Sequence, residues 1–237
     1  MGLSAPVPDG AAPLLETRGL TVSAGGRCLV ADLDLELWPG EALAVLGPNG
    51  VGKTLTLQTL AGLRAPAAGE VRVDGQPLAA WPRRTLARRL GLLPQGTEDP
   101  FPATVMEQAL IGRHPHLGFW QWESPGDQDI ARRALEEVDL GGLEERSLDT
   151  LSGGERRRLA VATLLVQDPE VWLVDEPTNH LDPQHRLAVM RLLAARAAQD
   201  RAVVVTLHDA NLAAGWCDRC LLPFGHASWQ LGPASDV

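Results

Sequence analysis

The amino-acid sequence predicts an α/β fold built on a largely parallel sheet. Two observations carry the prediction. Ala42 to Leu46, Val171 to Val174 and Ala202 to Leu207 are short apolar runs bounded by turn or polar residues, as strands buried on both faces are. Helix-like segments lie between them with Gly or Asp at the junctions, the alternation expected where parallel strands are joined by helical crossovers. A chain of 237 residues that is 45% hydrophobic is long enough to bury one core, with room for a subdomain.

Along the chain, residues 1–13 carry no basic start and no long apolar stretch, so a flexible tail is expected there and not a signal peptide. A single domain is expected over 14–237. Leu29 to Leu37 alternates, with Leu33, Leu35 and Leu37 on one side and Asp32, Asp34 and Glu36 on the other, the pattern of a half-exposed antiparallel strand. Ala42 to Leu46 leads into a helix-like segment from Thr54 to Leu63. From about Glu98 onward strand-like runs cease. Ile130, Ala134, Leu135 and Val138 recur at helical spacing, which predicts a helical subdomain inserted over about 98–160. Asp182 before Pro183 reads as a helix N-cap with Pro at the first helical position. No run approaches the roughly 18 apolar residues of a membrane-spanning helix.

Composition narrows the function. A formal net charge of −9 argues against holding nucleic acid on a broad basic face, which needs clustered Lys and Arg. Nucleotide binding through backbone N–H groups stays open. Three Cys do not make a disulfide framework in a chain this long, and point to a reducing compartment. Of 21 basic residues, 20 are Arg and one is Lys; seven Trp stand against no Tyr.

That one lysine, Lys53, falls in Gly47-Pro48-Asn49-Gly50-Val51-Gly52-Lys53-Thr54, which fits G-x-x-x-x-G-K-[ST] between an apolar strand and a helix-like segment. The glycines let the backbone wrap a phosphate chain, the N–H groups and helix N-terminus supply partial positive charge, and the ammonium reaches the outer phosphates. Thr54 would then place its hydroxyl on Mg²⁺. Val171 to Val174 ends in Asp175-Glu176, two carboxylates at the carboxyl end of a buried strand, where open α/β sheets bind ligands. Asp175 suits a water-mediated Mg²⁺ contact and Glu176 the polarisation of an attacking water, though paired acids after a strand are also common helix caps. Leu151-Ser152-Gly153-Gly154-Glu155 opens an apolar helix to Gln167; Ser152 and Glu155 have capping-box spacing, and Gly153 and Gly154 leave the first turn clear for an anion.

Taken in order, Gly47 to Thr54, Gln95 after Leu92-Leu93-Pro94, Leu151 to Glu155, Val171 to Glu176, Asn179-His180-Leu181-Asp182, and His208 after a strand resemble the nucleotide-binding subunit of an ABC transporter, over about residues 14–232. The resemblance implies a P-loop NTPase cassette of the ABC type: a mixed-sheet core, an antiparallel β subdomain and a helical signature subdomain. It implies ATP and Mg²⁺ as cofactors and transport-coupled ATP hydrolysis. By resemblance, Gln95 senses the Mg²⁺ and the permease, Asp182 lies in the loop that crosses a dimer, and His208 contacts the γ-phosphate. One P-loop and one signature per chain imply a homodimer around two ATP molecules. The implied partners are transmembrane permease subunits and a substrate-binding protein, with the chain peripheral on the cytoplasmic side of the inner membrane. The soluble ABC ATPases of translation share the Asp175 to Asp182 stretch but carry two cassettes per chain; an exporter subunit is the other alternative.

Thr104 to Glu107 with Gly112 to His116, and Gly75 to Trp81, are similar to importer ATPases for iron–siderophore, haem and cobalamin. His114 and His116 make a weak metal-ligand pair with no Cys or acid partner. Cys217 and Cys220 have the spacing of a redox or zinc motif but fall where the family runs from helix into strand, so buried free thiols are expected. Phe119, Trp120 and Trp122 sit near the region that meets the permease in this family, as an interface or as packing under the insertion. The chain departs from the family twice. It stops at Val237, soon after the strand-like Cys220 to Pro223, where relatives continue into further helix, which reads as a truncation. It also has Ala24 where many relatives stack an aromatic on adenine. Stacking of that kind contributes about 0.5–1.5 kcal/mol beyond burial. Ala24→Tyr is therefore expected to raise the preference for ATP over GTP, measured as the ratio of the two dissociation constants; an unchanged ratio contradicts the assignment.

Overall fold

The computed structural model describes residues 12–96 and 102–237. All but residues 12 and 13 of the expected tail lie outside the described residues, as does the start of the expected insertion.

A six-stranded sheet forms the centre, in the order β10-β9-β3-β8-β7-β6: β3 (Ala42–Leu46), β6 (Leu90–Leu93), β7 (Val171–Val174), β8 (Ala202–Leu207), β9 (Arg219–Pro223) and β10 (Trp229–Pro233). The first five run parallel, and β10 pairs antiparallel with β9 at the edge. Every residue of β3, β7 and β8 is buried, the reason these segments read as unbroken apolar runs. Successive side chains point to opposite faces and so split between two cores: Ala42, Ala44 and Leu46 join one, Leu43 and Val45 the other.

The second core is closed by α1 (Lys53–Leu60) and by a four-stranded antiparallel sheet in the order β2-β1-β4-β5, comprising β1 (Leu15–Ala24), β2 (Arg27–Leu37), β4 (Ala68–Val73) and β5 (Gln76–Pro77). Leu33, Leu35 and Leu37 face inward from β2 while Asp32, Asp34 and Glu36 are exposed, as the alternation requires. Between this sheet and β6 runs α2 (Arg83–Arg89).

The first core lies under α5 (Gly153–Gln167), α6 (Pro183–Ala197) and α7 (Ala210–Trp216), and continues into α3 (Val105–Leu110) and α4 (Pro125–Glu137). Across 102–150 the described residues form helices and turns, with one isolated bridge between Thr104 and Ser147. Thr104, Ser124 and Ser152 each cap a helix through a reciprocal capping box. Helix α5 runs unbroken across residue 160: Arg157 in its first turns reaches the carbonyls of Pro94, Gln95 and Asp175 at the end of the sheet, while Thr163 to Gln167 pack against the end of α3 and the turn after it. The helix after the P-loop is shorter than the sequence suggests, ending at Leu60 in a turn that places Gly62 at φ +68.

Strand register explains where chemistry can occur. Leu46 pairs with Leu207, Val174 with Val205 and Leu93 with Val174, so the segments following β3, β6, β7 and β8 leave the sheet side by side.

Gly112 packs the segment after α3 tightly against the last turns of α5. A Cβ there would overlap the Thr163 carbonyl oxygen and stand 2.8 Å from the Gln167 backbone nitrogen, both on α5. Gly112→Ala is expected to cost about 1–3 kcal/mol through overpacking, read as a thermal midpoint several degrees lower. An unchanged midpoint rules out that contact.

Candidate functional site

The phosphate loop is built by glycines no other residue can replace without rearrangement. Gly47 has φ +148 and a Cβ there would lie 3.0 Å from Val51; Gly52 has φ +109 and its Cβ would lie 3.1 Å from Leu29. Gly52 caps α1 with no side-chain bond, leaving the first-turn N–H groups for a ligand. Lys53 is 5% exposed, and its Nζ donates to the carbonyls of Gly47 at 2.7 Å and Pro48 at 3.2 Å. Burial lowers the Lys53 pKa, and Glu176 and Asp175 oppose that shift.

Glu176 is the junction of the site. It is 5% exposed, and its backbone takes φ +48, a conformation disfavoured for a residue with a Cβ. Oε2 accepts from Gln95 Nε2 at 2.7 Å and from the Asn179 amide; Oε1 lies 2.7 Å from His208 Nε2 and 3.9 Å from Lys53 Nζ. Four separate parts of the chain therefore meet on one carboxylate. Below it, Thr206 on β8 accepts the Glu176 backbone N–H at 2.7 Å and donates to Asp175 Oδ1 at 2.5 Å. Asp175 is 1% exposed and so is held beneath the cleft floor.

These groups line a cleft of about 360 Å³ formed by Asn49, Gly50, Gly52, Lys53, Thr54, Leu55, Gln95, Glu176, Asn179 and His208. Of the sequence-predicted residues, the structure thus brings the phosphate loop, Gln95, Glu176 and His208 together. Ser152, Gly153, Gly154 and Asp182 do not line it. Ser152 caps α5 through the Glu155 N–H at 3.2 Å, Glu155 Oε2 accepts the Ser152 N–H at 2.8 Å, and that bond holds the Glu155 carboxyl below its usual range. A Cβ on Gly154 would sit 3.4 Å from the His180 carbonyl, so the signature turn abuts the loop that ends at Asp182. Asp182 caps α6 by accepting from His185 N at 3.0 Å, the bond that lowers its pKa, and contacts the His185 ring at 2.6 Å.

Two buried groups escaped the sequence reading. Thr206 hides in an apolar strand. Arg157, one of three consecutive arginines, is 6% exposed and donates to the carbonyls of Pro94 at 2.5 Å, Gln95 at 3.3 Å and Asp175. Burial brings its guanidinium down to about 10, still charged at neutral pH. Helical spacing held the signal, since Arg157 precedes buried Val161 and Leu164 by four and seven residues on one face of α5.

Elsewhere, Ala24 ends β1 at the hairpin. Beyond that turn, Arg27 Nε donates to the Gly225 carbonyl at 3.1 Å, and a Cβ on Gly225 would lie 3.5 Å from Val51 Cα, so this hairpin is carried to the phosphate loop. Burial pushes the Cys217 thiol up to about 12 and the Cys220 thiol up to about 11, which keeps both protonated, and among the described residues no group of three or more His, Cys, Asp or Glu gathers around them. His116 Nε2 is 2.9 Å from the Gln167 carbonyl, and His114 lies 4.0 Å from Glu123. Phe119, Trp120 and Trp122 are 86–89% exposed and pack under nothing.

Residues 30–179 match the family model described as ABC transporter. The chain is 42% identical over 217 residues to a hemin import ATP-binding protein of Pseudomonas entomophila, covering 88% of this chain and 82% of that one. A petrobactin import ATP-binding protein of Bacillus anthracis is 36% identical over 205 residues, covering 86% and 75%. Among solved structures, an inward-facing conformation of a metal-chelate type ABC transporter superposes with a TM-score of 0.82 at 28% identity, over 95% of this chain and 85% of that one. A bacterial Atm1-family ABC exporter with ATP bound reaches 0.81 at 22% identity over 99% of this chain and 40% of that one, a likeness of fold alone.

Thr206→Val keeps the shape of the strand but strands the Glu176 N–H. We expect stability to fall by about 1–3 kcal/mol and kcat for ATP hydrolysis to fall while ATP affinity holds. A wild-type kcat in the folded variant would remove Thr206 from the positioning of Glu176.

Proposed function

The chain belongs to the ABC transporter family, and from that premise we propose that it energises import of hemin or a related iron chelate through a membrane permease. As an ATP-binding subunit of that family it hydrolyses ATP, and it works with a permease. Among the described residues no helix is long and apolar enough to cross a membrane. Iron-chelate import is supported by the hemin and petrobactin import relatives and by the metal-chelate transporter of similar structure. The chain acts as a homodimer with a substrate-binding protein upstream of the permease, peripheral on the cytoplasmic face of the inner membrane.

The observation that carries the mechanism is the convergence of Gln95, Asn179, His208 and Lys53 on Glu176. The triphosphate lies along the N–H groups of Gly50 to Thr54, and Lys53 exchanges the carbonyls of Gly47 and Pro48 for phosphate oxygens. Thr54, Gln95 and Asp175 offer only hydroxyl, amide and carboxylate oxygens, a donor set that fits Mg²⁺, with Asp175 acting through water. When bound, Mg²⁺ neutralises charge developing on the phosphates. His208, whose Nε2 meets Glu176 Oε1 in the structure, turns to donate to the γ-phosphate when ATP binds. Glu176 is the general base, and both its oxygens are engaged; release of Gln95 from Oε2 frees the lone pair that accepts a proton from the attacking water. Ser152, Gly153 and Gly154 lie outside the cleft of their own chain, so they close over the nucleotide of a second copy, and Asp182 lies at that junction. Closure of the pair around ATP and its reopening after hydrolysis transmit movement to the permease.

Glu176→Gln retains the shape and hydrogen bonding of the side chain but not its basicity. Turnover is expected to drop by at least about 100-fold, with ATP binding intact and an ATP-bound dimer accumulating on size exclusion. Full turnover refutes the base. Co-purification with a hemin-type permease, and ATP-dependent hemin uptake into vesicles holding both, tests the transport reading; stable association only with an exporter overturns it.

A further inference from the structure

The strongest feature outside the nucleotide cleft is an aromatic loop joined to a cluster of arginines. Phe119, Trp120 and Trp122 are exposed to 87%, 89% and 86%, and Phe119 stacks edge-on against Trp120 at 5.1 Å. Exposed aromatics at this density mark a contact surface. The loop is not free-standing. Arg84 Nε and Arg88 Nε on α2 both donate to the Pro115 carbonyl, at 3.2 and 2.7 Å, so one face carries the arginines and the root of the aromatic loop together.

Charge says what covers this face. Arg83, Arg84 and Arg88 are exposed, and among the described residues no carboxylate pairs with any of them. The nearby acids are engaged elsewhere: Asp127 with Arg113, Glu170 with Arg89, and Glu123 beside His114. In a chain of net charge −9, this is a local excess of positive charge at the root of the loop that carries the exposed indoles. Trp prefers the boundary between headgroups and acyl chains, where its ring is half apolar and its N–H stays wet. Basic residues beside it are drawn to anionic lipid. An acidic protein is otherwise repelled by such a surface, so the patch also fixes orientation.

We propose that Phe119, Trp120 and Trp122, with Arg83, Arg84 and Arg88, form a direct docking surface for an anionic phospholipid bilayer. The contact goes beyond attachment through a permease and does not require one. Lipid engagement holds the cassette level with the membrane while permease contacts form and break.

Co-sedimentation of the purified chain alone with vesicles tests this. Wild type is expected to pellet with phosphatidylglycerol-containing vesicles and not with pure phosphatidylcholine, and to be released by 0.5 M salt. Phe119→Ser/Trp120→Ser/Trp122→Ser is expected to lose pelleting. Arg83→Gln/Arg84→Gln/Arg88→Gln is expected to weaken it by roughly 100-fold, at about 1 kcal/mol per Arg. Basal ATP hydrolysis, unchanged in both, shows that the variants fold; Arg83→Gln alone, which breaks no contact to Pro115, should weaken pelleting about fivefold. Absence of pelleting by wild type, or pelleting indifferent to the aromatic substitutions, overturns the proposal. So does a loss confined to permease-stimulated hydrolysis in detergent, which makes the patch a protein contact.

Discussion

Everything in the cleft depends on how one buried carboxylate is satisfied. Glu176 stands at the end of a strand with almost no access to water, and an isolated ionised carboxylate there would be costly. It is stabilised because β6, β7 and β8 end in register, so that Gln95, Asn179 and His208 reach it from different loops, with the Lys53 ammonium close behind. The sheet's parallel order is what delivers those donors to one place. The positive φ of Glu176 completes the arrangement, turning the chain sharply at the end of β7, with the backbone N–H bound by Thr206.

A second buried charge supports the first. Arg157 offers its guanidinium to three backbone carbonyls, two of them flanking the loop that bears Gln95 and one belonging to Asp175. Losing it would leave those carbonyls unpaired and remove a positive charge facing Asp175 and Glu176. Helix α5 is consequently tied to the cleft by side-chain chemistry although its own N-terminus points its business at another place, beside the His180 to Asp182 loop.

Much of this was legible in the residues. Buried strands announce themselves as apolar runs because both faces are covered, and the phosphate loop announces itself because three of its glycines need positive φ that side chains resist. Alternation gave β2 its inner and outer faces without ambiguity. Thr206 could not be distinguished from the β-branched valines beside it, since strand packing favours all of them for the same shape. Arg157 was masked by arginines on either side, and only the helical period separates it from them. The links between Glu176 and its donors are made by strand register, a pairing of segments more than 80 residues apart in the case of Gln95, which no local pattern encodes. A boundary slipped at Leu60, where Gly62 at φ +68 turns the chain before the expected end at Leu63.

Helix α5 has one mechanical property that follows from where it is pinned. Arg157 lies near its start and Gln167 at its end, where Arg113 grips the Val166 carbonyl at 3.3 Å and His116 the Gln167 carbonyl at 2.9 Å. At about 1.5 Å per residue, roughly 15 Å of rod separates Arg157 from Gln167 and about 6 Å separates it from Gly153 at the start of the helix. The rod is a strut held at both ends, near its start by the carbonyls beside the cleft and at its end by the carbonyls of Ala87 and Leu90 and the segment that leads to the exposed tryptophans, so the cleft and that loop are braced against one another.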